Sequence, residues 1–225
     1  IAREKSGIIK PSSRAVTFAQ EALPVIEARC REVHAPLTVV GRDIHAERRA
    51  HDLRGQDVSV RGAFGEIDVH TSLLGSFQVE NVAIAVAALT ELRSAGFAIP
   101  DRAIREGVAS ARWPARLDLV RERPSVLVDG AHNRPAVEAI AASLTDLFPG
   151  RRISLVVGIL NDKDLKGMAA ALGPLASRVY ASRPKTHRAF DAEDVALAFR
   201  PYAESVSMPT IKAAIVMPTF TECAD

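Results

Sequence analysis

From residue 118 onward, short apolar runs alternate with amphipathic segments, and this alternation constrains the fold more than any other feature of the chain. Strands alternating with helices form parallel βαβ units with right-handed crossovers. We therefore expect an α/β fold with a mainly parallel sheet in the C-terminal part. The three predicted strand–helix pairs are Ser125–Val128 with Arg134–Leu147, Ile153–Val157 with Leu165–Leu172, and Arg178–Ala181 with Ala192–Tyr202.

The sequence before residue 118 has a less regular pattern. Alternating polar and apolar residues within 41–74 are typical of half-exposed antiparallel strands. Pro114 interrupts the helical pattern, and we expect a domain boundary at 117–124, which divides the chain into 1–117 and 118–225. The other predicted elements are helices at Ile1–Lys5, Glu21–Arg31, Gln78–Ser94 and Asp101–Ser110 (with Asp101 as N-cap) and strands at Arg14–Phe18 and Pro36–Val40.

Composition excludes several classes of protein. The net charge of the 225 residues is only +2 and the arginines are scattered, so neither nucleic acid nor an acidic membrane surface is an expected partner. No apolar stretch approaches the ~20 residues of a membrane helix, and no secretory signal opens the chain. Cys30 and Cys223 form neither a metal-type pair nor a disulfide framework, so we expect a cytoplasmic protein. Because the chain opens inside a helical pattern without methionine, we expect it to be a fragment.

The polar residues after Val128 are the strongest candidates for a site. The apolar run ends on Asp129, Gly130, Ala131, His132 and Asn133. Ligands of open α/β sheets bind beyond the carboxyl ends of the strands. Asp129 and His132 could form a functional pair or a purely structural one. Two more polar clusters, at 161–164 and 184–188, follow the next two strands, and we expect all three to converge on one edge.

Three further residues have both a functional and a structural interpretation. Lys5 could be a solvated helix end, or a carbamate whose oxygens bind Mg²⁺. Asn81 could be an exposed cap residue, or an amide that matches an adenine edge. Arg116 could form a surface salt bridge, or bind two phosphate oxygens with its planar guanidinium.

Two nucleotide-binding motifs are missing from the 225 residues. The sequence has no Gly-Lys dipeptide, and hence no P-loop of its own. Its glycines also lack the Gly-x-Gly-x-x-Gly spacing of a dinucleotide fingerprint.

Five motifs occur in order along the chain: Ile1-Ala-Arg-Glu-Lys-Ser-Gly-Ile-Ile-Lys-Pro11, Gln78-Val-Glu-Asn81, Pro114-Ala-Arg-Leu117, Val128-Asp-Gly-Ala-His-Asn133 and Gly158-Ile-Leu-Asn-Asp-Lys-Asp164. Together they resemble one known family, the folylpolyglutamate synthase/dihydrofolate synthase family of the Mur ligase superfamily. The resemblance extends from residue 1 to about residue 200. It predicts that 1–117 is the C-terminal part of a central ATP-binding domain and that 118–225 is a Rossmann-like glutamate ligase domain, with the active site in the cleft between them.

The resemblance also implies an activity and roles for the site residues. Family enzymes use ATP and Mg²⁺ to phosphorylate a pteroate or folate carboxylate, and the amine of L-glutamate attacks the acyl phosphate. Lys5 would be a carbamylated magnesium ligand, Asn81 would contact adenine and Arg116 the phosphates. Asp129 and His132 would face the nucleotide and the incoming glutamate. The family further implies a monomer whose partners are small-molecule substrates.

The chain departs from the family pattern in several places. The family's P-loop and its metal-binding Glu and His precede the segment matching Lys5, so we expect residues 1–225 alone to be inactive. Ala115 replaces the usual glycine, Pro135 stands one place later than usual, and the tail 213–225 does not resemble the family's closing strand. Two alternatives remain: another Mur-superfamily amide ligase acting on a cell-wall precursor, or a non-catalytic remnant that binds a nucleotide.

Overall fold

The computed structural model describes residues 1–18 and 21–208, together with the backbone of 219–223. These residues form two compact units. The first unit comprises 1–72 and 77–111, and the second comprises 73–76 and the chain from Arg112 onward.

The first unit begins with two helices and two short parallel strands. Strands β1 and β2 pair in the register Ala15↔Leu37. Pro24 lies in the first turn of α2, where its missing N–H costs no helical hydrogen bond. The elements are α1 (Ala2–Ser6), β1 (Ala15–Thr17), α2 (Leu23–Glu32) and β2 (Leu37–Val39), and all four predictions for this stretch are confirmed.

Three antiparallel strands and two helices complete the first unit. Alternate residues of β5 are buried, as the alternation in the sequence predicts, whereas β4 is buried more continuously, with Ser59 enclosed as well as Val58 and Val60. The elements are β3 (His45–Asp52), β4 (Gly55–Gly62), β5 (Gly65–Thr71), α3 (Phe77–Ser94) and α4 (Asp101–Ser110). The main core of the unit lies between these strands and helices, around Val58, Val60, Ile67, Val86 and Ile104.

The capping role predicted for Asp101 is wrong. The N-cap of α4 is Pro100, and Asp101 is the first helical residue, with no side-chain capping bond. Its carboxylate instead accepts a hydrogen bond from Arg93 at 2.8 Å. Asp101 still suits this position, because an acidic side chain in the first turn is stabilised by the helix dipole.

The second unit is a six-stranded sheet with three longer helices. The strand order is β10-β9-β8-β11-β7-β6. Four strands, β7 to β10, run in the same direction, while β6 and β11 run against their neighbours. The elements are β6 (Asp118–Glu122), β7 (Ser125–Asp129), α5 (Arg134–Leu147), β8 (Ile153–Val157), α6 (Leu165–Leu172), β9 (Ala176–Ala181), α7 (Ala192–Phe199), β10 (Ser205–Ser207) and β11 (Thr219–Cys223).

The alternation predicted from residue 118 is confirmed, and with it the α/β class. Two strands lie outside that prediction. The sequence analysis does not predict strand β6, because its residues are largely exposed and show little alternation of apolar and polar side chains. Its pairing with β7 is also interrupted by a bulge next to Val126. Strand β11 lies in the tail for which the sequence offers no family-like strand, yet its backbone pairs with both β7 and β8. The rest of that tail, 213–218 and 224–225, lies outside the described residues.

Strand register aligns the carboxyl ends of the parallel strands. Asp129 of β7 and Val157 of β8 both pair with Thr219 of β11, and Val157 also pairs with Ala181 of β9. The residues after these three positions therefore emerge from the same edge of the sheet. Among the described residues, no helix combines the length and hydropathy needed to cross a membrane.

Candidate functional site

Asp129 ends β7, and its carboxylate is bound by backbone rather than by side chains. Oδ2 accepts a hydrogen bond from the N–H of Leu117 at 2.6 Å, and Oδ1 accepts one from the N–H of Ala131 at 2.6 Å. Only 7% of the residue is exposed. The carboxylate thus joins the segment before β6 to the loop after β7.

The ionisation of Asp129 reflects this enclosed position. Burial raises the pKa of the carboxyl above its ordinary value, because the charged form loses its hydration. The N–H groups of Leu117 and Ala131 and the positive charge of Arg116 act in the opposite direction.

The segment Ala115–Leu117 forms a turn with an unusual backbone. Ala115 has a φ of 58° and Leu117 a φ of 47°, so left-handed residues stand on both sides of Arg116. The turn is also bonded to the loop after β7, since the N–H of Gly130 donates to the carbonyl of Ala115 at 2.8 Å. Arg116 is exposed, while the side chain of Leu117 is buried. Two of the sequence motifs therefore meet in one local structure.

His132 and Asn133 have separate roles in the loop after β7. The His132 Nδ1 atom lies 3.1 Å from the carbonyl oxygen of Gly130. A carbonyl can only accept, so Nδ1 carries a proton, and in the neutral form of the ring Nε2 would then be the acceptor. The suggested His132–Asp129 pair is therefore replaced by two sets of backbone contacts. Asn133 is the N-cap of α5, where its Oδ1 accepts the N–H of Ala136 at 3.0 Å.

The three polar clusters after β7, β8 and β9 come together, as the sequence predicts. Asp164, the N-cap of α6, accepts the N–H of Gly167 at 2.9 Å. A Cβ added to Gly167 would overlap the Asp164 carboxylate and lie 2.9 Å from Cδ of Arg134, so the first turns of α5 and α6, which follow these two loops, lie side by side. A Cβ added to Gly158 would lie 2.8 Å from Cδ of Pro184, which places the loop after β9 against β8.

The loops after β8 and β9 are also joined by polar bonds. The guanidinium of Arg188 donates to Asp162 at 3.1 Å, and Lys163 forms an ion pair with the same carboxylate at 2.9 Å. The hydrogen bond from Lys163 lowers the pKa of Asp162 below its usual value, and the charges of Lys163 and Arg188 act in the same direction. The cations at this edge are therefore partly neutralised by their own neighbours.

Asn81 lies on α3, in the first unit. It is exposed, and its Nδ2 donates to Oε1 of Gln78, one helical turn earlier, at 2.8 Å. Gln78 is only 2% exposed, and its Nε2 has no hydrogen-bond acceptor among the described residues. The Gln78 carbonyl thus fixes which way the Asn81 amide faces.

Lys5 is exposed on α1 and lines a largely apolar cavity of about 580 Å³ in the first unit. Among the described residues of this lining, Arg14 is the other one with a charged side chain, and none is acidic. Within residues 1–18 and 21–208, no group of three His, Cys, Asp or Glu side chains is placed to hold a metal ion. The described residues thus do not make a complete magnesium site, and Lys5 could supply at most one ligand.

Comparison with known protein families gives a match within the second unit. Residues 115–223 match the family model described as "Mur ligase, glutamate ligase domain". The whole chain is 32% identical to the dihydrofolate synthase/folylpolyglutamate synthase of Bacillus subtilis over 205 residues, which is 87% of this chain and 46% of that protein. The chain belongs to the folylpolyglutamate synthase/dihydrofolate synthase family.

Solved structures of folylpolyglutamate synthases have folds similar to that of this chain. The Thermotoga maritima enzyme has a TM-score of 0.81 and 28% identity, covering 92% of this chain and 49% of its own. The Mycobacterium tuberculosis folylpolyglutamate synthase in complex with ADP has the same TM-score and identity, covering 92% and 48%. The chain therefore spans about half the length of the folylpolyglutamate synthases that it matches.

Sequence reasoning missed two features of this folylpolyglutamate synthase-like chain. The buried amide of Gln78 was not singled out, although its spacing of four residues from Val82 puts it on the buried face of α3. The left-handed turn around Arg116 was also missed. The replacement of the usual glycine by Ala115 carried a signal for it, since glycine is the residue that adopts positive φ without strain.

Proposed function

We propose that residues 1–225 belong to an ATP-dependent ligase that adds L-glutamate to dihydropteroate, folate or both. The observation that carries this proposal is the extent of the similarity. The relative from Bacillus subtilis, named for both activities, matches 87% of the chain, and the match includes residues of both units. A remnant that retained only a nucleotide-binding fold would not need the glutamate ligase domain over 115–223.

The proposed reaction is an activation followed by an amide synthesis. The γ-phosphoryl group of ATP passes to an oxygen of the pteroate or folate carboxylate, and ADP leaves. The amine of glutamate then attacks the acyl phosphate carbon, loses a proton, and expels inorganic phosphate. Positive groups held near the transferred phosphoryl group lower the barrier by neutralising charge that develops in the transition state.

We propose the following functional division of the chain, whose boundary falls a few residues inside the second compact unit, so that Arg116 and Leu117 lie in that unit. Residues 1–117 are the C-terminal part of an ATP-binding domain, and 118–225 are the Rossmann-like glutamate ligase domain. Asn81 contributes an amide suited to the donor and acceptor of an adenine edge, and its orientation is set by Gln78. Lys5, as a carbamate, would contribute one oxygen ligand to Mg²⁺ when the ion accompanies ATP.

Two residues of the second unit are proposed to contact the reactants. Arg116 is exposed at the apex of its turn, and its guanidinium can bind two phosphate oxygens at once. When its ring is neutral, His132 has an acceptor nitrogen, Nε2, which can take a proton from the ammonium group of glutamate and so release the amine that attacks the acyl phosphate. Asp129 is proposed to support both, since its oxygens hold the N–H groups of Leu117 and Ala131.

A chimaera tests the proposed activity. The part of the Bacillus subtilis relative that precedes its matched region is fused before residue 1, and ADP release is measured with dihydropteroate or folate and glutamate. We expect release that needs both substrates, and none from residues 1–225 alone, which contain no P-loop. Release that requires a cell-wall precursor would favour the alternative Mur-superfamily ligase. A folded chimaera without any ligation would favour the remnant.

The matched control for this assay is Arg116→Lys beside Arg116→Ala. Lysine retains the positive charge but loses the planar fork, so we expect R116K to recover only part of the activity lost in R116A. We also propose a cytoplasmic monomer, in keeping with its small-molecule substrates. Sedimentation of the chimaera at the mass of two chains would contradict the monomer.

A further inference from the structure

We infer that β11 is a spacer strand, which enters the gap between β7 and β8 in the antiparallel direction and so sets the distance between the loops that follow them. The occupant of this gap is a segment of the same chain, Thr219–Cys223. The place and direction of the strand are independent of the proposed function. Its effect on catalysis rests on that function, because His132 lies in the first of the two loops.

The gap is bordered by backbone that needs hydrogen-bond partners. In the described part of the sheet, β7 and β8 do not pair with each other, and β11 is the neighbour of both on the facing side. The two strands lie in the interior, since Leu127, Ile153, Leu155 and Val157 are at most 1% exposed. Buried N–H and C=O groups without partners are strongly destabilising, so the gap requires an occupant.

The strand order also shows what the occupant holds together. Without it, the six-stranded sheet would separate into the pair β6–β7 and the triplet β8–β9–β10. A pair of strands is only marginally stable by itself in water. Pairing with β11 therefore joins the strand that ends at Asp129 to the rest of the sheet.

The direction of β11 follows from where the chain approaches the gap. Strand β10 is parallel to β9, so it ends at the carboxyl edge of the sheet, where Asp129 and Val157 also lie. Eleven residues, 208–218, separate Ser207 from Thr219. A parallel strand would first require a return to the amino edge, through a crossover of roughly a dozen residues or more. An antiparallel strand begins at the edge where β10 ends.

Strand β11 also determines how far apart two loops of the candidate site begin. Thr219 is the register partner of both Asp129 and Val157, the last residues of β7 and β8. Neighbouring strands lie roughly 5 Å apart, so one inserted strand separates these two ends by roughly 10 Å, and direct pairing of β7 with β8 would halve that distance. The loop with His132 and the polar cluster 161–164 therefore start one strand width further apart than they would without β11.

An engineered disulfide tests the direction and the occupant. Cys223 is the register partner of Ser125, whereas Ser154 is the partner of Glu222. In Ser125→Cys we expect mild oxidation to join positions 125 and 223 of one chain, because direct antiparallel partners have Cα atoms within about 5.5 Å. Ser154→Cys is the matched control. Successive residues of a strand face opposite sides, so we expect at least tenfold less 154–223 disulfide.

Mass spectrometry of non-reduced peptides identifies the bond, and non-reducing electrophoresis shows whether it lies within one chain. A 125–223 bond between two chains overturns the assigned occupant, because the strand would then come from a second copy. A folded S125C chain without the bond, or an equal yield in S154C, overturns the antiparallel register.

Backbone hydrogen exchange tests whether β11 supports its neighbours. Thr221 is the register partner of Leu127 and of Leu155, so it lies at the centre of both pairings. Proline at this position removes a ladder N–H from a strand that is paired on both sides, whereas valine retains it. We expect the β7 and β8 amides that bond to β11 to exchange at least tenfold faster in Thr221→Pro and unchanged in Thr221→Val. Unchanged protection in a folded T221P overturns the inference, and the disulfide decides the matter if T221P does not fold.

The chimaera tests the effect of the spacer on catalysis. We expect T221P to lower ADP release at least tenfold and T221V to retain it, because only proline disturbs the separation of the two loops. Full release by a T221P chimaera that has lost protection in β7 and β8 overturns the spacer role. An inactive wild-type chimaera counts against the proposed function alone, since the disulfide and the exchange rates report on the strand without any substrate.

Discussion

Replacement of Ala115 by glycine should stabilise the second unit, which is the reverse of the usual effect of an alanine-to-glycine change. Ala115 has a φ of 58°, in a region that costs an L-residue about 1–2 kcal/mol and costs glycine almost nothing. Glycine in turn loses roughly 0.5–1 kcal/mol more conformational entropy on folding. The net expectation is a free energy of unfolding higher by about 0.5–1 kcal/mol, slightly reduced by the loss of a half-buried methyl group.

The control is Ala142→Gly, an exposed position inside α5 of the same unit. Glycine in a helix interior costs about 1 kcal/mol relative to alanine, so the two variants should differ by roughly 1.5–2 kcal/mol. Urea unfolding is followed by far-UV circular dichroism and by the fluorescence of Trp113, the single tryptophan, which lies two residues before Ala115. If A115G is destabilised as much as A142G, the left-handed strain assigned to this turn is refuted.

Three further predictions concern stability and the orientation of the site. Gly107→Ala in α4, where a Cβ meets no atom within 4 Å, should raise the free energy of unfolding by about 0.5–1 kcal/mol. Gly167→Ala should give no such increase, because its Cβ displaces the Asp164 side chain that caps α6. Equal shifts of the melting temperature in the two variants would contradict this. Burial raises the pKa of Glu91, but hydrogen bonds from Thr38 and Arg14 outweigh it and the pKa is lowered overall. The ionised Glu91 carboxylate therefore stabilises the folded state at pH values above its ordinary pKa, and this stabilisation is lost as the pH falls through the lowered pKa. Glu91→Gln should therefore cost about 1 kcal/mol at neutral pH and progressively less in acid, and a penalty independent of pH would refute the assignment. Gln78→Met removes a buried amide nitrogen that lacks an acceptor in the described residues, so the free energy of unfolding should stay unchanged or rise by about 1 kcal/mol. The same change removes the carbonyl that orients Asn81, so ATP binding by the chimaera should weaken. A loss of stability with normal ATP binding would contradict the role given to Gln78.

Local patterns in the sequence predicted most of the fold because they depend on residues that are close together along the chain. The alternation after residue 118, the alanine-rich apolar segment that forms α3 and the proline at the start of α2 each specify an element with little help from the rest of the molecule. Strand β11 shows the limit. Its place between β7 and β8 follows from pairing with two strands more than 60 residues earlier, which no local pattern contains.

The candidate site divides in the same way. The sequence by itself determined which residue types follow the buried strands, and hence that Asp129, His132 and the polar clusters after β8 and β9 lie at one edge of a sheet. Only the tertiary structure decided what Asp129 binds. Burial removed its carboxylate from water, and the nearest donors were the N–H groups of Leu117 and Ala131, one of them from a turn that precedes it by twelve residues. A buried carboxylate needs hydrogen-bond donors within about 3 Å, and folding determines which donors lie that close. The order of residues along the chain does not by itself give those distances.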